Sequence, residues 1–128
     1  MNTDFWADAE QIAVYTRSDA IDDGALVDVS ETAREAGFRY PVALTGAAWG
    51  LIENIPAAYE HEDVDGRLWD VLWMGVMAAR RAPGDTDRVS YCLILHTDAA
   101  GELVDLVLHI GPGDAGEPVI TIMLPDED

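Results

Sequence analysis

Three tight groups of carboxylates are the residues of this chain most able to do chemistry: Asp22 with Asp23; Glu60, Glu62, Asp63 and Asp65; and Asp85 with Asp87. Others stand at Asp19, at Asp114 and Glu117, and in the terminal run Asp126, Glu127, Asp128. Such groups can ligate a hard cation, work as an acid–base pair, or present negative charge to a basic partner. The cation reading fails on spacing. If Gly66 is the sixth position of a calcium loop, His61 falls at position one and Leu72 at position twelve, where carboxylates belong. His61, His96 and His109 form no HxxxH or HExxH spacing, so no metal is expected. The acid–base reading fails on abundance, because among 25 Asp and Glu residues adjacency in sequence singles out no pair.

Charge is what remains. Against those 25 carboxylates stand seven Arg and no Lys, a formal net charge of −18 in 128 residues. Spread over a folded surface, that is about one charge per 370 Å². Duplex DNA, by comparison, carries about one per 110 Å², so a single acidic face could approach its density. A surface of this sign repels nucleic acid and acidic membranes and attracts basic protein grooves. A GC-rich genome would explain the preference for Arg over Lys, and adaptation to high salt would explain the acidity, without any partner.

Nucleophile and phosphate-loop signatures are missing. Ser30 lacks a GxSxG setting and reads as a helix cap, while Cys92 lies in an apolar run and reads as a small buried hydrophobe. The glycine-rich stretch from Gly111 to Gly116 has no Lys, opens no helix and contains Asp114, so it reads as a hairpin loop. No cofactor is expected. A lone cysteine fits a reducing cytoplasm, and neither an export signal nor an apolar run of spanning length is present.

The elements that must position these groups follow from periodicity. A short helix is expected over residues 3–12 with an extended piece at 13–15, then a helical turn capped by Ser18 and ended by Gly24. Residues 25–29 read as a strand, and Ser30 reads as the N-cap of a helix closed by Gly37. Tyr40 before Pro41 makes 38–44 extended, and Thr45 caps a helix stopped near Pro56. Residues 59–66 read as an exposed loop before the longest helix, 67–82, whose stripe is Leu68, Val71, Leu72, Gly75, Val76 and Ala79, widened by Trp69, Trp73 and Met77. Three strands follow, at 88–96, 102–110 and 118–124, separated by turn residues. The fold class is therefore α+β in one domain, with N-terminal helices packed on a C-terminal antiparallel sheet of three or more strands. A homodimer through that sheet is one way to cover its second face.

The scarce arginines Arg17, Arg34, Arg39 and Arg67 are expected in internal bridges to carboxylates, with a guanidinium pocket as the functional alternative. Trp6, Trp49, Trp69 and Trp73 read as core, but an exposed Trp69 or Trp73 would mark a protein interface.

Four stretches carry a family resemblance: Tyr15 to Ala20, Asp28 to Thr45, Gly66 to Met74, and Gly116 to Pro125. Over them the chain resembles a family of small uncharacterised proteins associated with bacterial plasmids, phages and integrative elements. The resemblance carries no catalytic residue. It implies a context in which small acidic proteins act as counter-defence factors.

The expected function is accordingly a non-enzymatic acidic inhibitor of a basic nucleic-acid-binding defence complex, a DNA mimic of the anti-CRISPR or anti-restriction kind. Its contact residues would be Asp22, Asp23, Glu60, Glu62, Asp63, Asp65, Asp85 and Asp87, with Trp69 and Trp73 as interface aromatics. An accessory interaction module whose acidity serves solubility is the alternative, and a small metal-dependent enzyme is the third reading.

Overall fold

The computed structural model describes residues 14–97 and 103–127. The expected helix at 3–12, Trp6, Ala13, the turn after His96 and Asp128 lie outside them. The described elements run α1 (Arg17–Asp23), β1 (Leu26–Asp28), α2 (Ser30–Ala36), β2 (Val42–Thr45), α3 (Gly46–Glu53), a 3₁₀ turn at Ala57–Tyr59, α4 (Val64–Arg81), β3 (Arg88–Ile94), β4 (Leu103–Pro112) and β5 (Pro118–Met123).

The strands form one sheet in the order β1-β2-β5-β4-β3. β3, β4 and β5 make the expected antiparallel meander, with Tyr91 opposite Leu106 and Leu108 opposite Ile122. The sheet as a whole is mixed, because β2 joins it parallel to β5, with Val42 opposite Ile120 and Leu44 opposite Ile122. A strand of four residues separated by most of the chain from its neighbour leaves no local trace of that pairing.

Side chains alternate across the strands. Leu44, Leu93, Leu106, Leu108, Ile120 and Ile122 point to the face covered by α2, α3 and α4, where they meet Ala33, Ala48, Ile52, Leu68, Leu72 and Val76 in one core. Cys92 belongs to the opposite set and is exposed, not buried as its apolar surroundings suggest. The run around it alternates, with Leu93 inward and Cys92 and Ile94 outward. Thr121 also faces outward, and Arg17 of α1 reaches it there at 2.7 Å while its second nitrogen donates to the Ile120 carbonyl at 2.7 Å.

Several caps differ from expectation. Thr16, not Ser18, caps α1 by accepting from the Asp19 amide at 3.0 Å, with Asp19 returning the bond to the Thr16 amide. Asp114 accepts from the Arg17 and Ser18 amides, so the hairpin loop closes over the start of α1. Gly24 ends α1 with a φ of 87°, a conformation that glycine adopts without strain. Ser30 makes no capping bond. Its hydroxyl instead sits between Asp28 and the Val42 amide, tying the start of α2 to β2. Thr45 caps α3 as expected, accepting from Ala48 at 3.2 Å. Arg80 and Arg81 occupy the last turn of α4, where positive charge complements the helix dipole. No helix among the described residues is long and apolar enough to cross a membrane.

Candidate interaction site

The acidic stretch before α4 is more ordered than a loop. The helix begins at Val64, three residues earlier than the apolar stripe suggests, because Asp63 caps it by accepting from the Gly66 amide at 2.7 Å. A side chain at Gly66 would place its Cβ 2.7 Å from that same carboxylate oxygen, so glycine is what allows the close approach.

Arg67 in the first turn is 3% exposed, the sole charged residue in the described core. Its Nε donates to the Ile52 carbonyl at 2.9 Å and Nη2 to the Leu51 carbonyl at 2.7 Å. Both acceptors lie in the last turn of α3, where carbonyls have no partner within the helix. Nη1 donates to Glu62 Oε1 at 2.8 Å. The other Glu62 oxygen lies 2.8 Å from His96 Nδ1, just past β3, and the His96 ring stacks on Tyr59 with centroids 3.7 Å apart. Arg67 and Glu62 together thus join α3, α4 and the end of β3. The His96 hydrogen bond, reinforced by Arg67 and opposed by desolvation, holds Glu62 below the ordinary carboxylate range. Of the arginines expected to bridge carboxylates, Arg67 does so. Arg17 uses a hydroxyl and a carbonyl instead, and Arg34 and Arg39 have no carboxylate partner among the described residues.

Beside this joint opens a cavity of about 520 Å³, lined by His61, Glu62, Asp63, Trp69, Asp70 and His96 among others. Trp69 and Trp73, four residues apart on α4, do not widen the core stripe. They are 37% and 43% exposed and stack on each other, with centroids 6.3 Å apart and planes 12° apart. Met74 beside them is 39% exposed. Core positions recur along the other side of the helix, so the indoles face solvent next to Asp70.

The predicted contact residues therefore divide into three places. Glu60, Glu62, Asp63, Asp65, Trp69 and Trp73 come together at the N-terminal half of α4. Glu62 is drawn inward to its two partners, while Glu60, Asp63 and Asp65 are exposed. Asp85 and Asp87 are exposed beyond the other end of a helix about 27 Å long, with Arg80, Arg81 and Arg88 nearby. Asp22 and Asp23 sit at the corner of α1 and β1, at the opposite edge of the sheet from β3, about 19 Å away by strand spacing. There Asp23 accepts from the Tyr15 hydroxyl at 2.5 Å and from the Ala25 amide. These bonds lower the Asp23 pKa, and the Asp23 hydrogen bond is the chief cause that lifts Tyr15 to about 12.

The family profile matches residues 1–128. The chain belongs to DUF6573, a family of unknown function. No curated protein and no solved structure matches it. The match brings no activity and no tie to mobile elements, so function rests on the site itself. Sequence reading gave Arg67 a carboxylate bridge without placing it in this site, and it missed His96 on the wall, Tyr59 stacked on His96, and Asp70 on the exposed face. The available signal was the place of Arg67 one helical turn before Val71, on the buried stripe. Among the described residues no three His, Cys, Asp or Glu side chains gather as a metal site.

Proposed function

We propose that this chain is a non-enzymatic acidic binding protein that occupies the basic groove of a nucleic-acid-binding complex through the N-terminal half of α4. In this reading it works in the cytoplasm as a counter-defence inhibitor of the anti-CRISPR or anti-restriction kind. The observation that supports the reading is the stacked, exposed Trp69–Trp73 pair set beside the exposed carboxylates Glu60, Asp63, Asp65 and Asp70. Grooves for single strands hold stacked bases on aromatic and guanidinium faces and phosphates on cations, and stacked indoles beside carboxylates offer both features. The dispersal of Asp22, Asp23, Asp85 and Asp87 narrows the contact to this one face.

A second reading is favoured by that same dispersal: an accessory interaction module in which the indoles bury against an apolar partner and the acidity serves solubility. Neutralising Asp63, Asp65 and Asp70 to Asn separates the two. The proposed inhibitor loses capture of restriction or RNA-guided nuclease complexes by at least tenfold on that change and keeps it when Asp22 and Asp23 are neutralised. Equal losses from both sets would reject a face-specific contact, and no loss from either would favour the accessory module.

A further inference from the structure

The far end of α4 is where the arginines gather, among the exposed carboxylates Asp85 and Asp87. Five of the seven arginines, Arg34, Arg39, Arg80, Arg81 and Arg88, lie in α2 and the segment after it, in the last turn of α4, or at the start of β3. Two of them, Arg39 and Arg80, line a single cleft of about 300 Å³ between the C-terminal half of α4, the segment from Gly37 to Tyr40, and the inner face of the sheet.

Its floor is apolar. Val76, Leu108 and Ile120 are buried there, and Ile110, opposite Ile120 across the strands, is half-buried. The Arg80 guanidinium lies over Gly37, 3.6 Å from where a Cβ would stand, and Val76 is equally near. That backbone has a φ of 121°, which glycine adopts freely, and the guanidinium rests in ordinary contact range of it. Neither the Arg39 nor the Arg80 guanidinium is hydrogen-bonded or ion-paired to a described residue. In a chain with 25 carboxylates, two guanidinium groups facing one apolar cleft without a carboxylate partner leave a cationic rim over a hydrophobic floor.

We propose that this cleft binds a small amphipathic anion, a carboxylate carried on an apolar body. The guanidinium fork matches a carboxylate in two parallel hydrogen bonds, while the body covers Val76, Ile110 and Ile120. The volume lies at the lower end of small-ligand pockets, which suits a single short chain or ring. The cleft is remote from the proposed contact face, so its test stands apart from that reading.

The probe is octanoate, titrated into the ¹⁵N-labelled protein and followed by amide shifts, with octanol and octylammonium as neutral and cationic controls. Saturable shifts at Gly37, Val76 and Ile110 are expected with octanoate. The double substitution R39Q and R80Q should weaken them at least tenfold, and R88Q, outside the cleft, should leave them unchanged. Because both cleft arginines are exposed, the double variant should keep the wild-type amide spectrum away from the cleft. Octanol shifting the same amides with equal affinity, undiminished octanoate binding in the double variant, or no saturable shift with octanoate would each overturn the proposal.

Discussion

Replacing Arg67 with Met tests whether the candidate site is held up by one buried guanidinium. Methionine fills much of the same volume, so the change removes hydrogen bonds more than it opens a void. Three bonds disappear: those to the Leu51 and Ile52 carbonyls at the end of α3 and that to Glu62. Ile52 is 1% exposed, so water cannot readily replace the donor to its carbonyl. Leaving a buried polar group unpaired costs about 1–3 kcal/mol, and removing one member of a buried pair about 3–5 kcal/mol. Since the Glu62 end stays partly hydrated, about 3 kcal/mol is expected for R67M. With a urea slope of about 1.5 kcal/mol per molar for a domain of this size, the unfolding midpoint should fall by about 2 M at unchanged slope. R67K keeps the charge but not the planar fork, and should fall between wild type and R67M. A loss under about 0.5 kcal/mol for R67M would refute the reasoning, because the α3 carbonyls and Glu62 would then need no guanidinium.

The acid side of the stability profile should carry the mark of Glu62. Its folded pKa is depressed, so its contribution is fully present above the ordinary carboxylate pKa and is lost as pH falls through the lowered folded value. Urea midpoints measured down that range should fall more steeply for wild type than for E62Q, and parallel profiles would contradict the assignment. At Gly24 the space around an added Cβ is open, so G24A should cost about 1 kcal/mol from the positive φ alone. A neutral G24A would mean that the cap relaxes out of the left-handed region. The substitutions W69A and W73A should each cost under about 1 kcal/mol of stability while removing about 2 kcal/mol or more of partner binding. The reverse pattern would return the indoles to the core.

The α+β class, the long core helix and the C-terminal meander were legible because each is written in local periodicity and in punctuation such as Thr45, Gly24 and Gly37. The parallel seating of β2 on β5 was not, since a parallel pair is made between segments that share no turn. The site was half legible. Its carboxylates stood out as a cluster, but the link from Glu62 to His96 spans 34 residues and exists once β3 has packed against α4. The carboxylate bridge of Arg67 was legible but its depth was not, because charge normally argues for exposure and its burial depends on two carbonyls at the end of another helix. Trp69 and Trp73 were misplaced for the opposite reason, as large apolar side chains beside a real core stripe.

The most direct test of the proposed function is a salt titration of binding between the purified chain and restriction or RNA-guided nuclease complexes, with single- and double-stranded DNA as competitors. Capture is expected to weaken steeply as salt rises, to be displaced by DNA, and to be abolished by W69A together with W73A. Capture indifferent to salt and to DNA, or no capture at low salt, would contradict that function.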